Sequence, residues 1–530
     1  MPVAPDVLVI GGGHNGLVAA FYLARAGLKV EVLEAQPDLG GACKTEELLP
    51  GYRFSSCANC LWLLRPQVMA DMRLLERGMV VDAPEADVKV IDGETSMIWW
   101  RDEDRLRQEI ARVAPADAAR WTDWQAIWRQ AADLLGPLLL STPPSPAQLE
   151  AHAERVGHQQ LLRTLMESSL SGLIERHLDT PVMRAGVNEV RADLGSLYAN
   201  GSSLVHALGV AGRDYSETGQ ISPKGYVRGG MGSVVTAMVD ALSELDVSLR
   251  TSTPVERILV EGDRAVGVRL VGGEEISASS IVSDATPDRT FLSLLDPGLL
   301  EPGFLRSVQG MQRQVAPLKL HCAMSGLPEY KAFAGSDLPH RGLTSLLPSY
   351  AGQERAWLQA SAGELPDELL MVAMTPSVWD PTLAPVGGHT LSFWILYAPT
   401  RPASGQWPQL REEMAERVLS QIERHAPDFR AALRDYVLFT PSDLQERVLL
   451  TDGNIHHVDM TLSQALWRRP IPELADYRAP ITGLYCCGAG QHPGGEVSGA
   501  PGHNAAHVVL EDRGHIAPGT WRLTADGGAS

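Results

Sequence analysis

The first 34 residues alternate between strand-like and helix-like patterns. Residues 6–10 (DVLVI) form a continuous apolar run that is typical of a buried strand. From Leu17 the apolar positions recur at helical spacing until Gly27 ends the helix, and residues 29–33 (KVEVL) predict a second strand. Strand, glycine turn, helix and strand in this order predict a βαβ unit, which implies a parallel sheet.

The next large segment is predicted to be mostly helical. Residues 100–220 follow helical patterns, with a proline-rich loop at 141–146. Within this segment Trp121, Trp124 and Trp128 share one helical face, and a core-facing stripe is favoured over a lipid-binding surface. We therefore expect this segment to belong to a second domain.

The C-terminal half mixes strands and helices. Short β-rich runs between turn residues predict a small β-meander over residues 247–282. Further along, the patterns predict strands at 315–324 and 390–398 and a helix near 408–425. Another apolar strand at 483–488 precedes a last helix.

Strands of the parallel sheet are thus predicted to come from three separated parts of the chain. We expect an α/β fold in which a nucleotide-binding domain is combined with a discontinuous α+β substrate domain. The nucleotide-binding domain is assigned to residues 1–75, 222–295 and 480–515, the substrate domain to residues 76–221 and 296–479, and a C-terminal tail to residues 516–530.

Composition and charge narrow the classes of function. A chain of 530 residues with 44% apolar residues is long enough for two globular domains around a cleft. A formal net charge of −19 argues against nucleic acid as a partner, because such binding needs Lys and Arg to neutralise phosphates. The longest apolar run, residues 134–140, contains Pro137 and is too short for a transmembrane helix. The absence of a leader pattern and the low cysteine content indicate a cytoplasmic protein, and they leave peripheral membrane contact and homodimerisation open.

The turn after the first strand reads GGGHNG. Gly11, Gly13 and Gly16 fit the G-x-G-x-x-G pattern, in which glycines form the turn, admit a pyrophosphate close to the backbone and allow tight helix packing. The phosphates then lie at the helix N-terminus, where unpaired N–H groups favour negative charge. Ordinary glycine-rich turns also match this pattern, so the residues around it are needed to distinguish a nucleotide-binding turn from a purely structural one.

A carboxylate downstream of the turn favours a dinucleotide. Glu34 ends the second strand 18 residues after Gly16, where a carboxylate accepts ribose hydroxyls and disfavours a 2′-phosphate. A second glycine pair, Gly40 and Gly41, follows. The residues predicted to contact the cofactor in this part of the chain are Gly11, Gly13, His14, Asn15, Gly16, Glu34, Ala35, Gly40, Gly41 and Ala42.

Another glycine-rich segment lies near the C-terminus. Residues 483–512 predict a buried strand, a Gly/Pro loop and a helix whose N-terminus would stabilise negative charge on a bound cofactor. The predicted contacts in this segment are Gly488, Gly490, Gly494, Gly495, Glu496 and Val497.

Nearly the whole chain resembles one protein family. The resemblance is carried by GGGHNGLVAAFYLARAG, GGACKTEELLPGYRF, LLRPQ, GGMGSVVTAM, TPVERI, SGLPEY, GNIHH and CGAGQHPGG. These segments are similar to the phytoene desaturase-like FAD-dependent oxidoreductases of the flavin amine oxidase superfamily, in particular to the branch of pyridine nucleotide-disulfide oxidoreductase domain-containing protein 2. The resemblance implies FAD as the cofactor and a Rossmann-type FAD-binding domain of the glutathione reductase/amine oxidase kind. The arginine that is common after the glycine doublet is absent, because Ala42 and Cys43 stand there.

The resemblance also suggests roles for single residues. Val255 would hold the adenine end of FAD with its backbone, and the strand that ends at Asp284 and Ala285 would run beside it. Lys319 lies where flavin amine oxidases carry a lysine that reaches the flavin through a water; a solvent-facing strand lysine is the alternative. His492 and His456 are candidates for proton handling because imidazole titrates near neutral pH, although a structural or substrate-orienting role is favoured for each.

The cysteines and a further glycine segment exclude two cofactor mechanisms. Cys43 follows two glycines, as in flavin disulfide reductases, but Leu48 stands where their second redox cysteine would be. Cys57 and Cys60 form a CxxC without a second pair at zinc spacing, so we interpret them as packing thiols and expect no metal site. The GGMGS segment lacks a third glycine, so no bound NAD(P)H is expected.

From these features we expect an enzyme in which FAD takes two hydrogens from a C–C or C–N bond of a largely apolar small molecule. Reoxidation by dioxygen or by a quinone stays open. Two alternatives are a redox-neutral FAD-dependent isomerase and a flavin-binding interaction protein without turnover. No motif identifies the substrate, since one fold hosts many reactions.

Overall fold

Strands and helices alternate along most of the chain. The computed structural model describes residues 4–93, 95–188, 195–213, 225–517 and 521. The strands are β1 (Val7–Ile10), β2 (Val30–Leu33), β3 (Thr45–Leu49), β4 (Tyr52–Ser55), β5 (Val81–Asp82), β6 (Ala86–Ile91), β7 (Thr95–Trp100), β8 (Tyr226–Val227), β9 (Val247–Arg250), β10 (Val255–Glu261), β11 (Arg264–Leu270), β12 (Glu275–Ser277), β13 (Ser280–Ser283), β14 (Val315–Met324), β15 (Thr344–Leu347), β16 (Leu370–Met374), β17 (His389–Pro399), β18 (Leu433–Phe439) and β19 (Leu484–Cys486). The α-helices are α1 (His14–Arg25), α2 (Pro66–Asp71), α3 (Glu103–Val113), α4 (Pro115–Ala118), α5 (Trp121–Leu135), α6 (Pro146–Arg155), α7 (Gln159–Glu167), α8 (Leu170–His177), α9 (Pro181–Asn188), α10 (Ser202–Arg213), α11 (Gly232–Ser243), α12 (Pro302–Gln309), α13 (Leu338–Arg341), α14 (Tyr350–Ser361), α15 (Trp407–His425), α16 (Phe429–Ala432), α17 (Pro441–Val448) and α18 (Ala500–Asp512).

A five-stranded parallel sheet holds the predicted βαβ unit. Its strand order is β19-β13-β1-β2-β9, and β1 pairs in parallel with both β2 and β13. All four residues of β1 are buried. Val7 and Val9 pack with helices α1, α11 and α18, whereas Leu8 and Ile10 belong to a separate apolar cluster. Helix α1 begins at His14, three residues before the predicted start. The predicted α/β fold is therefore confirmed.

The prediction of a β-meander over residues 247–282 is wrong for its first and last strands. Strand β9 pairs in parallel with β2, and β13 pairs in parallel with β1, so both belong to the main sheet. Only β10, β11 and β12 form an antiparallel sheet of their own. The reason is that apolar periodicity identifies a strand without identifying its partner.

The second large sheet of the molecule has seven strands. Its order is β18-β14-β17-β16-β15-β6-β7, and the pairs are antiparallel except for β15 with β6. Every residue of β14 is buried, which fits a central strand covered on both faces. The predicted strands at 315–324 and 390–398 and the helix near 408–425 correspond to β14, β17 and α15.

Helices α3 to α10 pack with one another, and α3 and α9 contact strands β7 and β6 of this sheet. Trp121, Trp124 and Trp128 are 4%, 4% and 8% exposed and belong to one apolar cluster, so the predicted core-facing stripe is confirmed. Among the described residues, none of the helices combines the length and the apolar character that crossing a bilayer demands.

The assignment of the chain to two domains remains a prediction. Leu300, Phe304 and Ile471 lie in the predicted substrate domain, yet they pack with Leu8 and Ile10 of the parallel sheet. The apolar core therefore crosses the predicted boundaries. Most of the predicted C-terminal tail lies outside the described residues.

Candidate functional site

The glycine turn between β1 and α1 closes around a carboxyl group from another part of the chain. A Cβ on Gly13 would overlap Oδ2 of Asp284, and a Cβ on Gly16 would overlap the carbonyl oxygen of Gly11. Gly11 itself has a φ of +101°, where glycine is favoured. The glycine pattern is thus required by close packing on the inside of the turn.

Glu34 holds the same turn from the end of β2. Its side chain is 7% exposed; Oε2 accepts the N–H of Gly12 at 2.7 Å, and Oε1 accepts the N–H of Gln36 at 2.8 Å. Charge-assisted bonds of this kind fix the carboxylate in position. Glu34 and Ala35 both line the cavity that begins at the turn.

The glycine doublet lies directly on the first turn. The N–H of Gly40 donates to the Gly12 carbonyl at 2.7 Å, and Gly40 forms a parallel bridge with Gly13. A Cβ on Gly41 would lie 3.4 Å from Gly13 Cα. The two glycine segments therefore form one wall, and Ala42 continues that wall into the cavity.

The side chain of Asp284 is a functional candidate that the sequence did not reveal. It follows β13, and its Oδ2 accepts the N–H of Gly16 at 3.2 Å. Burial raises the pKa of the Asp284 carboxyl well above its usual value; the bond from Gly16 opposes this shift, and the charge of Glu34 adds to it. The sequence feature that could have identified Asp284 is its position at the carboxyl end of a parallel strand, because ligands bind at this end in such sheets.

A cavity begins at the glycine turn, and we call it the dinucleotide cavity. Three basic residues, Lys44, Arg289 and Arg447, line it together with the glycines. Cations of this kind can neutralise a diphosphate. The predicted cofactor contacts that line it are Gly11, Gly13, His14, Asn15, Glu34, Ala35, Gly41, Ala42, Val255 and Ala285.

A second cavity of about 190 Å³ continues from the first, and we call it the apolar cavity. His14, Ala42 and Ile455 line both cavities, so the two lie side by side. Strands β16 and β17 supply one wall, and no motif marked these positions. Its largely apolar lining includes Cys57, Cys60, Trp62, Leu63, Leu343, Val372, Met374, Trp394, Leu396, Ile455 and Val497.

The C-terminal glycine loop, residues 487–499 between β19 and α18, passes along both cavities. Ala489 lines the dinucleotide cavity, and Glu496 and Val497 line the apolar cavity. Gly494 and Gly495 line a smaller neighbouring cavity. Gly488 and Gly490 lie behind the cavity surface, because a Cβ on either residue would approach the Asp284 carbonyl oxygen or the Pro287 ring at 2.8 to 3.1 Å.

Buried polar groups along the cavities fit a polar ligand such as FAD. Within the described part of the chain, His14 Nε2 and Asn15 Oδ1 are buried without a hydrogen-bond partner. The N–H groups of Gly494 and Gly495 also have no acceptor there. Because buried polar groups are normally hydrogen-bonded, these atoms are suited to receive the cofactor. Burial lowers the pKa of His14 to about 4, so the ring is neutral at pH 7.

Lys319 is buried on β14, so the solvent-facing alternative is wrong. Its Nζ donates to the carbonyls of Ser55, Cys57 at 2.8 Å and Ala58 at 3.3 Å. Burial lowers the pKa of the Lys319 amine to about 7. Cys57 and Ala58 line the apolar cavity, so Lys319 fixes part of its wall. A water-mediated contact to FAD stays a prediction.

The two candidate histidines lie in different surroundings. His456 lines the smaller cavity beside Gly494 and Gly495. His492 lies outside the four cavities found along the described residues; its Nε2 is 2.9 Å from the Leu138 carbonyl oxygen, and burial lowers its pKa to about 4. Proton handling by either residue stays a prediction.

Comparisons with known proteins agree on the type of protein. A family model described as an NAD(P)-binding Rossmann-like domain matches residues 9–75. The chain is 32% identical to pyridine nucleotide-disulfide oxidoreductase domain-containing protein 2 of Rattus norvegicus, over 96% of this chain and 93% of that protein. It is 26% identical to the neurosporene-forming phytoene desaturase of Cereibacter sphaeroides, over 94% and 93% of the two chains. The structure of cyclohexylamine oxidase from Brevibacterium oxydans matches with a TM-score of 0.58 at 17% identity, over 97% of this chain and 100% of that one. This chain therefore belongs to the phytoene desaturase-like family of FAD-dependent oxidoreductases, and FAD is its cofactor.

Proposed function

We propose that the protein removes two hydrogens from a C–C or C–N bond of a largely apolar substrate in the apolar cavity, and that dioxygen or a quinone then reoxidises the flavin. The observation that carries the proposal is that the two cavities share the lining residues His14, Ala42 and Ile455. A ligand among Leu343, Met374 and Trp394 would meet a surface that favours hydrocarbon.

The residues that would hold FAD follow from the same cavities. Glu34 would accept ribose hydroxyls, and the glycine turn with Lys44 would receive the diphosphate. When bound, FAD supplies the oxidising chemistry by accepting two electrons. The contribution of this chain is to orient the substrate, exclude water and hold the surrounding polar groups in position.

The side chains beside the apolar cavity suggest how protons are managed. His14 is neutral at pH 7, so it can accept a hydrogen bond without placing a charge beside the substrate. We assign Lys319 to holding the cavity wall at residues 55–58 and keep water-mediated contact with FAD as its second role. His456 and His492 remain the other candidates for proton transfer.

Glu496 offers a way to test whether the oxidised bond is a C–N bond of an amine or a C–C bond of a hydrocarbon. It is the one carboxylate among the described residues that line the apolar cavity. An ammonium substrate would use this carboxylate as its counter-ion, whereas a hydrocarbon would not need it. A Glu496→Gln variant should therefore raise the KM for amines by roughly tenfold or more and leave the KM for hydrocarbons unchanged.

The test is anaerobic mixing of the FAD-loaded protein with apolar substrates of both classes. Loss of the flavin absorbance band with formation of an unsaturated product or an imine supports the proposal. Product formation that requires pre-reduced enzyme would identify an isomerase. An unchanged spectrum with every substrate that binds would identify a flavin-binding protein without turnover, and either of these two results overturns the proposal.

A further inference from the structure

Arg313 is a buried arginine that bridges two carboxylates beside the dinucleotide cavity. It lies between α12 and β14, and its side chain is 6% exposed. Its Nη2 donates to Oδ1 of Asp288 at 2.8 Å, and its Nε donates to Oδ2 of Asp452 at 3.0 Å. None of these three residues lines any of the four cavities found along the described residues. Any effect of Arg313 on a ligand in these cavities therefore passes through its two partners.

The two partners belong to two segments that line the dinucleotide cavity. Asp288 lies in residues 284–289, the segment after β13, and Asp452 lies in residues 447–452, the end of α17 and the turn after it. Both segments contribute to the cavity lining, among others with Thr286 and Arg289 from the first and Leu449 and Leu450 from the second. Arg313 therefore joins two parts of the cavity lining.

A hydrogen bond joins the same two segments at a second point. The hydroxyl oxygens of Thr286 and Thr451 are 2.6 Å apart. Thr286 itself lines the dinucleotide cavity, so this bond lies at the edge of the cavity. The distance between the two segments is therefore fixed both by Arg313 and by the threonine pair.

The second segment has a backbone conformation that needs support. Leu449 and Asp452 have φ values of +59° and +56°, in the left-handed region that residues other than glycine seldom adopt. Such conformations persist only where the surrounding structure holds them. The Asp452 side chain is held by Arg313 and, at 3.4 Å, by the exposed Arg401, and Gln445 Oε1 accepts the Asp452 N–H at 2.8 Å. Loss of Arg313 would remove the buried support of this turn, so the cavity-lining Leu449 could move.

The charge of Arg313 also keeps two mostly buried carboxylates together. Burial raises the pKa of Asp288; the charge of Arg313 opposes this shift, and the charge of Asp452 adds to it. The two carboxylates are therefore close enough to repel each other. Removing one member of a buried ion pair leaves the remaining charge uncompensated. Without Arg313, this repulsion would push the two segments apart.

We propose that Arg313 is a positioning residue that holds segments 284–289 and 447–452 at the spacing that FAD requires in the dinucleotide cavity. A cavity whose lining is already ordered binds its ligand more tightly, because binding does not have to pay for that ordering. Loss of Arg313 should therefore weaken the affinity for FAD. The proposal rests on FAD binding in the dinucleotide cavity and is independent of the substrate class.

The first experiment measures the Kd for FAD of Arg313→Met, Arg313→Lys and the unmodified protein by fluorescence titration. Arg313→Met should raise the Kd by roughly tenfold or more, because it breaks a buried ion pair that supports the cavity lining. Arg313→Lys should fall between the two, because it keeps the charge and loses the planar set of donors that spans two carboxylates. Arg77→Met is the matched control and should leave the Kd unchanged. Arg77 also bridges two carboxylates, those of Asp240 at 2.7 Å and Glu244 at 2.6 Å, and lines none of the four cavities.

The second experiment distinguishes control of the spacing from a general loss of stability. Thr286→Cys and Thr451→Cys, introduced together, place two thiols where the hydroxyl oxygens are 2.6 Å apart, so oxidation should join them in a disulfide. In the Arg313→Met background, the oxidised form should bind FAD more tightly than the reduced form, because the disulfide restores the spacing. Arg313→Met without the added cysteines is the control for oxidation of the native thiols.

An unchanged Kd for FAD in Arg313→Met overturns the proposal, and so does equal affinity of the oxidised and reduced cysteine pair in that background. Where Arg313→Met fails to fold, Arg313→Lys carries both comparisons. With Arg313 retained, the disulfide should not weaken FAD binding, and a weaker oxidised form would also overturn the proposal. These measurements omit the substrate, so a failure of the proposed dehydrogenation would leave their outcome intact. Full flavin content in Gly13→Ala would instead show that FAD binds outside the dinucleotide cavity.

Discussion

Oδ2 of Asp284 accepts the backbone N–H of Gly16 at 3.2 Å, across 268 positions of sequence. A carboxyl group therefore lies beneath the turn that is expected to receive the diphosphate of FAD. Glu34 lies on the other side of the turn and accepts the N–H of Gly12. Two ionised carboxylates beside a diphosphate would repel it, and the raised pKa of Asp284 favours the neutral form of one of them.

This relationship predicts a specific pH dependence for Asp284→Asn. The Asp284 carboxyl has a higher pKa in the folded protein than its ordinary value of 3.8, so the folded state binds more protons above that pH. Its contribution to stability therefore falls as pH rises from about 4, by at most ~1.4 kcal/mol per pH unit. The thermal midpoint of the apoprotein should fall relative to that of Asp284→Asn as pH rises from 4 to 8. The exposed Asp246→Asn is the control, and parallel curves for Asp284→Asn and the unmodified protein would contradict the argument.

Gly13→Ala should abolish FAD binding. A Cβ at this position overlaps Oδ2 of Asp284, and the displaced turn would no longer fit the cofactor. The purified variant should hold less than about a tenth of the normal flavin, as measured by absorbance, because tight turns of this kind admit only glycine. Gly326→Ala is the matched control, because a Cβ at Gly326 meets nothing within 4 Å. Full flavin content in Gly13→Ala would rule out the assigned role of the turn.

The sequence revealed the parts of the site that are built from local signals. The glycine turn and Glu34 lie within one βαβ unit, and the stripe of tryptophans lies within one helix, so spacing alone was sufficient. Asp284 acts across 268 positions of sequence, which no local pattern records. The strands β9 and β13 were assigned to the wrong sheet for the same reason. The residues of β16 and β17 that line the apolar cavity are all apolar. Apolar residues in a sequence predict burial, but they do not show whether the buried surface faces the protein core or a ligand cavity.

Glu34→Ala should weaken FAD binding by roughly ten- to a hundredfold. A hydrogen bond to a charged group contributes about 1.5–3 kcal/mol, and Glu34 also fixes the N–H groups of Gly12 and Gln36. The affinity can be measured by titrating the apoprotein with FAD and following flavin fluorescence. Glu31→Ala on the same strand is the control, because Glu31 pairs with Arg250 away from the cavity. Equal losses in both variants would mean that strand stability, rather than cofactor contact, is affected.

Lys319→Met tests whether the buried amine holds the wall of the apolar cavity. The substitution leaves the carbonyls of Ser55, Cys57 and Ala58 without their donor, and each unsatisfied buried group costs about 1–3 kcal/mol. The pKa of Lys319 is lowered from 10.5 to about 7, so the unfolded chain binds more protons between these values. The stability of the unmodified protein should therefore rise with pH above 7 relative to Lys319→Met. The thermal midpoints of both proteins, followed from pH 6 to 9, check the sign. If Lys319 only positions the wall, the variant should raise KM and keep the pH profile of kcat, whereas loss of a limb near pH 7 would show that the amine itself transfers a proton.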